Sequence, residues 1–188
     1  MDEETKKLFM IYSKLVYKFC YHLTGNRIDA DDLYQDTFLA AWEKREIFRD
    51  NMSHEDMCIL EQNNRAKNYL LGIAANLWKN RQRKRLRRNH ITPFDDREDA
   101  LMEAVSRDPG PETNILQKEM IQEVRKQIEA LPDKLKIVVV MYYTGEMSTE
   151  EIAGRLRIPA ATVRSRLSKA RKKMQKGLEE NGYEKRYG

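Results

Sequence analysis

The sequence predicts an all-α protein of two small helical domains, residues 1–90 and 113–188, joined by an extended acidic linker over 91–112. Three observations carry that expectation. Apolar residues return at steps of three and four through most of the chain, the period of a helix with one buried face. Pro93, Pro109 and Pro111 bracket the acidic run Asp95-Asp96-Arg97-Glu98-Asp99, and proline disfavours helix just before it. Charge also comes in blocks: the net is +5 over 188 residues, but −4 over 1–60, +8 over 61–90, −5 over 91–130 and +6 over 131–188. The two basic blocks imply a polyanionic partner.

The elements follow in order. Leu8, Tyr12, Leu15, Phe19 and Leu23 form one apolar stripe, and Gly25 supplies a natural C-terminal cap. Asp29 should open a second helix with Asp31 and Asp32 in its first turn, where the macrodipole favours negative charge. Its inner face is Leu33, Thr37, Ala40 and Ala41, and it should end near Phe48. Residues 49–64 carry no clear period. From about Arg65 a third helix buries Tyr69, Leu70, Ile73, Ala74 and Leu77 and runs into Lys79, Arg81, Arg83, Lys84, Arg85, Arg87 and Arg88. The return of an apolar residue at Leu86 suggests that these cations extend a packed helix.

Beyond the linker, Leu116, Met120, Val124, Ile128 and Leu131 give another helix. The run Ile137 to Tyr143 is rich in β-branched residues, yet Leu131-Pro132-Asp133 starts a helix and Gly145 stops one about a dozen residues later. With no partner strand nearby, it reads as a buried helix. Ser148-Thr149-Glu150-Glu151 is a capping box opening a short helix with Ile152, Ala153 and Leu156 inside. Pro159 breaks that helix, and a basic one follows from Ala160 to about Gly177 on the stripe Val163, Leu167, Ala170 and Met174. Two short helices around a tight turn, the second strongly basic, form a helix-turn-helix pattern. Arg164, Ser165, Arg166 and Lys169 then lie where such a helix reads base edges, while Arg171, Lys172 and Lys173 lie where it holds phosphates.

Several classes are excluded. No apolar run approaches the roughly 18–20 residues of a membrane helix, so no membrane insertion is expected. The charged N-terminus is unlike a secretory signal, and two cysteines suit a reducing cytoplasm. No glycine-rich phosphate loop is present. Cys20, His22, His54 and Cys58 are potential metal ligands, but positions 20 and 22 point about 200° apart on a helix. No metal, cofactor or catalytic residue is expected. A recombinase would need a nucleophile among arginines, and Ser13 has none beside it. A stand-alone helix-turn-helix regulator would leave the acidic second helix and the basic third helix without a purpose.

Asp29 to Trp42 (D-A-D-D-L-Y-Q-D-T-F-L-A-A-W) resembles the D-A-E-D-L-V-Q-E-T-F-L-x-A-W signature of bacterial extracytoplasmic-function sigma factors, which direct RNA polymerase to promoters. Tyr69 to Asn76 resembles the family's W-L-Y-R-I-A-x-N, and Leu131-Pro132 through Met174 resembles its L-P…T-V-K-S-R-L-x-R-A-R ending. The three motifs stand in the family's order and cover roughly residues 8–88 and 112–178.

The resemblance implies a region two domain, a linker and a region four domain with these boundaries. It implies docking on a coiled coil of core RNA polymerase through Asp32, Leu33, Gln35, Asp36, Phe38 and Trp42. It implies opening of the minus-ten promoter element by the basic third helix. There Asn76 and Asn80 would meet base edges, and Lys79, Arg83, Lys84, Arg87 and Arg88 would follow phosphates. Unstacking costs a few kcal/mol per base, to be recovered from strand contacts. The helix-turn-helix would read the minus-thirty-five element, with Thr162 of the matching motif joining Arg164 to Lys173. The linker reaches at most roughly 70 Å, enough to hold both elements at once. A membrane-anchored anti-sigma factor is a further implied partner, and a stress or envelope regulon the implied target. The stretch from Phe48 to Tyr69 is about a dozen residues longer than in the family. Tyr69 stands for its tryptophan, Gly72 for its arginine and Arg157 for its turn glycine. Keeping the family's turn would put Arg157 in a left-handed conformation at roughly 1 kcal/mol.

Overall fold

The computed structural model describes the backbone of residues 3–44, 65–91 and 115–183, and the side chains of 9–44, 65–88 and 119–183. Among these residues every regular element is a helix: α1 (Glu3–Thr24), α2 (Arg27–Glu43), α3 (Arg65–Ile91), α4 (Ile115–Glu129), α5 (Asp133–Val139, continued by a π-helical turn, Val140–Thr144), α6 (Thr149–Leu156) and α7 (Ala160–Glu180). Residues 49–64, whose sequence shows no clear period, and the linker expected over 91–112 lie outside the described residues, except that Ile91 closes α3.

α1, α2 and α3 pack together around Val16, Phe19, Leu23, Leu33, Leu70, Leu71, Ala74 and Trp78. Gly25 takes φ +80 where α1 turns into α2, as its capping role requires. The cap of α2 is Asn26 rather than Asp29: the Asn26 side chain accepts from the Asp29 amide at 2.8 Å, and its own Nδ2 donates to the Asp29 carboxylate. An amide can satisfy both the orphan N–H and the acid, so the helix starts two residues early. Asp31 and Asp32 consequently fall beyond the first turn. α2 also ends at Glu43 rather than near Phe48. Thr37 is accommodated in the core because its hydroxyl donates to the Leu33 carbonyl at 2.6 Å.

The Ile137 to Tyr143 run is helical. Ile137, Val138, Val139, Val140 and Met141 are all buried. Five consecutive buried side chains exceed what one face of an α-helix can hide, so this element is covered on several sides. The π turn, closed by Gly145 N–H donating to the Val140 carbonyl at 3.0 Å, helps to fit them in. Gly145 itself has φ −81, so its lack of a Cβ serves space rather than handedness. A Cβ there would stand 2.6 Å from the Met141 carbonyl oxygen and 3.0 Å from Leu71 Cδ1.

That contact belongs to a larger joint. α1 lies against α4 and the π turn, so the N-terminal and C-terminal helices share one apolar core. Polar links cross it: Asn68 Nδ2 donates to Glu151 Oε1, and Lys67 reaches Glu146 at 3.6 Å with its own side chain only 7% exposed. Arg155 lies over Gly72, where a Cβ would meet its Cδ at 3.1 Å. His22 Nδ1 and Thr144 Oγ1 share a hydrogen bond at 2.8 Å.

Burial, with Lys18 and Arg125 nearby, lowers the His22 pKa from 6.5 to about 4. Between these values the unfolded chain binds a proton that the folded one refuses, so stability falls as pH drops from about 6.5 towards 4. The loss reaches on the order of 3 kcal/mol by the acid end of that window. His22→Gln should flatten this part of the stability profile, measured by urea unfolding at successive pH values. An unchanged slope would show that other groups dominate it.

Candidate nucleic-acid interface

Three surfaces carry the side chains singled out by sequence. The first is a groove of about 510 Å³ between α1 and α2, lined by Phe9, Tyr34, Gln35, Phe38, Leu39 and Trp42. Its aromatic rings lock edge to face: Phe9 and Phe38 stand 4.5 Å apart, Tyr34 and Phe38 4.8 Å, and Tyr17 and Tyr34 5.7 Å. Leu39 is 60% exposed at the rim. The expected set divides here. Gln35, Phe38 and Trp42 line the groove, and Asp32 and Asp36 are exposed beside them. Leu33 is fully buried against the core.

The second surface is the outer part of α3. Asn76, Asn80, Arg83 and Arg87 recur at helical steps along one exposed stripe, flanked by Lys79, Lys84 and Arg88. The helix runs on to Ile91, but its packing ends well before that. Residues 83–88 are all exposed and Leu86 is 59% exposed, so the cations ride on a projecting helix rather than a packed one. Arg81, which sequence reasoning left unassigned, pairs with Asp36 at 2.5 Å. One residue of the expected polymerase-docking set, Asp36, is thereby tied to the basic helix. No linear pattern links positions 36 and 81.

The third is the helix-turn-helix formed by α6 and α7. The capping box is complete: Ser148 Oγ accepts from the Glu151 amide at 3.1 Å, and Glu151 Oε2 accepts from the Ser148 amide at 2.7 Å. Val163, Leu167 and Ala170 are buried. Arg164, Ser165, Lys169, Arg171, Lys172 and Lys173 are exposed, while Thr162 and Arg166 are half-buried. Arg164 is not free: it meets Glu150 at 3.3 Å. Both partners are exposed, so the pair is weak and an incoming anion can displace the carboxylate. Arg171 is held by Tyr143, whose hydroxyl accepts from its Nε at 2.9 Å. Of the potential metal ligands, Cys20 is buried with its thiol pushed up to about 12 by desolvation, and His54 and Cys58 lie outside the described residues.

Known proteins share both halves of this arrangement. The sigma-70 region 2 family matches residues 8–55 and the sigma-70 region 4 family matches residues 121–174, together just over half of the chain and in that order. The extracytoplasmic-function (ECF) RNA polymerase sigma factor SigW of Bacillus subtilis is 28% identical over 171 residues, covering 89% of this chain and 85% of that protein. The chain belongs to the ECF sigma factors.

Other relatives agree. The sigma-E factor of Escherichia coli is 28% identical over 143 residues, covering 76% of this chain and 70% of that one. SigE of Mycolicibacterium smegmatis is 28% identical over 171 residues, although this sigma factor spans only 59% of its length. Among solved structures, the sigma factor RpoE in complex with the anti-sigma factor NepR from Bartonella quintana matches with a TM-score of 0.69 at 21% identity, over 95% of this chain and 98% of that one. CnrH in complex with the cytosolic domain of CnrY matches at 0.59 and 18% identity, over 94% and 88%. These structures share the fold. No described helix of this sigma factor is long and apolar enough to cross a membrane.

The turn between α6 and α7 carries a strain that the residue pattern announces. Arg157 adopts φ 54 and ψ 51, a left-handed conformation usual for glycine, and its amide donates to the Ala153 carbonyl. Arg157→Gly should therefore stabilise the fold slightly, by up to about 0.5 kcal/mol, once glycine's greater freedom in the unfolded chain is offset. Denaturant midpoints compare the two proteins directly. A destabilised variant would mean that the Arg157 side chain contributes more than its backbone costs.

Proposed function

We propose that this sigma factor divides its work as the charge blocks suggest. Residues 1–90 act as region two, 91–112 as a linker and 113–188 as region four. The aromatic groove takes a helix of the core polymerase coiled coil, with Gln35, Phe38 and Trp42 inside and Asp32 and Asp36 as acidic neighbours. A helical partner suits it, because a shallow apolar trough with a charged rim accepts one amphipathic face. The stripe Asn76, Asn80, Arg83 and Arg87, with Lys79, Lys84 and Arg88, engages the opened minus-ten element. The exposed side chains of α7, together with Thr162 and Arg166 on its first turns, engage the minus-thirty-five element.

The observation that carries this reading is that one chain presents an apolar aromatic groove on α1 and α2 together with two exposed cationic helix faces, on α3 and α7. Cations on single projecting faces attract phosphates without burying charge, and amides or hydroxyls between them can read bases. The anti-sigma factor NepR bound in the similar RpoE structure supports a partner of that kind here. A reducing cytoplasm and an envelope or stress regulon complete the proposal.

Run-off transcription with added core polymerase on a promoter library tests it: specific transcripts should appear only when both proteins are present. Absence of polymerase binding and of initiation would sink the proposal.

Within α7 the roles should separate. Arg166→Ala should weaken discrimination at the minus-thirty-five element by roughly 1–3 kcal/mol. Lys172→Ala should weaken binding to all sequences alike and lower the salt slope by about one. Equal behaviour of the two variants in salt-titrated promoter binding would refute the division.

A further inference from the structure

The π turn at Val140–Thr144 hides Val140 and Met141 but turns the next two residues outward. Tyr142 is half-buried and Tyr143 is 57% exposed. A large aromatic residue beside a basic helix needs a reason, and the neighbour supplies one. Arg171 donates from Nε to the Tyr143 hydroxyl at 2.9 Å. Its guanidinium carbon lies 5.7 Å from the Tyr142 ring centre and 5.8 Å from that of Tyr143. The two rings stand 5.0 Å apart at 78° and form a corner against which the guanidinium rests.

The partner chemistry is selective. Arg164 is met by Glu150 and Lys176 by Glu180, but no described carboxylate pairs with Arg171. Two neutral phenols orient it without cancelling its charge. With Nε engaged, N–H bonds on its terminal nitrogens remain for an acceptor. The Tyr143 oxygen accepts from Arg171, so its own O–H is left to donate. Arg171 sits about three turns into α7, where a recognition helix leaves the groove floor and passes the backbone.

We propose that Tyr143 and Arg171 form one two-pronged phosphate site, with Tyr143 both fixing the guanidinium and donating its hydroxyl to the same DNA backbone phosphate. The ligand is a phosphodiester, recognised without regard to sequence. Pre-ordering matters because a free arginine loses rotamer freedom on binding, whereas this one is already held. The tyrosine comes from the element before the helix-turn-helix, so it widens the DNA footprint beyond α7. The proposal rests on α7 being the minus-thirty-five helix.

Tyr143→Phe keeps the ring and removes only the hydroxyl. In the reconstituted holoenzyme, binding to a promoter and to the same promoter with a scrambled minus-thirty-five element should weaken by the same factor, roughly three- to tenfold. The slope of log affinity against log salt should fall towards that of Arg171→Ala, which itself loses about one unit. Adding Tyr143→Phe to Arg171→Ala should then cost little more, because the site is already broken. Binding by Tyr143→Phe equal to the parent, an effect on the intact promoter alone, or full additivity with Arg171→Ala would each overturn the proposal. Arg166→Ala in the same assay separates the two levels: if it changes nothing, the assignment of α7 fails and this site with it. If Arg166→Ala reduces discrimination while Tyr143→Phe is silent, the phosphate site alone is wrong. Thermal melts of each variant exclude misfolding as the cause of any loss.

Discussion

One apolar core shared by the N-terminal and C-terminal helices is the constraint on which the arrangement of the described helices turns, and the close approach of Leu71 to Gly145 is part of it. A methyl at position 145 would collide with both the Met141 carbonyl and Leu71. The missing Cβ leaves room for Leu71 of α3 at the π turn, beside the contacts of α1 with α4 and the π turn that join the two sets of helices into one apolar core. Around it, the polar links are chosen so that few charges are buried alone. Lys67 is almost fully covered but reaches the exposed Glu146, and Asn68 uses its amide on Glu151. A neutral amide and a half-exposed ion pair cost far less to desolvate than a buried ion pair would.

The same economy shapes the charged faces. Arg83, Lys84, Arg85, Arg87 and Arg88 stand on the exposed outer part of α3, whereas Lys79 and Arg81 are half-buried nearer the core and Arg81 pairs with Asp36 of α2. On α7 the cations differ in how they are held. Arg164 leans on a carboxylate, Arg171 on two phenols. The first arrangement costs an ion pair when DNA arrives and the second costs none, so neighbouring positions with similar side chains need not contribute alike. The net charge of +5 hides this differentiation.

How far the residue pattern could be read depended on whether its cause was local. Helix spans followed from periodicity, the capping box from its four residues, and the left-handed Arg157 from one departure in a familiar turn. The β-branched run was read correctly as helix because its start and stop signals outweighed its composition. The start of α2 was misplaced because Asn26 caps two ways at once, and its end because the apolar pattern continues past Glu43. Leu86 misled because a lone apolar residue fits a stripe whether or not anything lies over it.

By itself the sequence determined the all-helical class, the order of elements, the family and the two basic surfaces, since these depend on side-chain period, caps and charge within single segments. Tertiary structure decided what those segments do to one another. It set Glu151 to serve both as the cap of α6 and as the acceptor of Asn68 from α3, and it put Asp36 on Arg81 and Tyr143 on Arg171. Each of these pairs is separated by tens of residues, and a one-dimensional pattern carries no information about which distant side chains meet when two helical faces are pressed together.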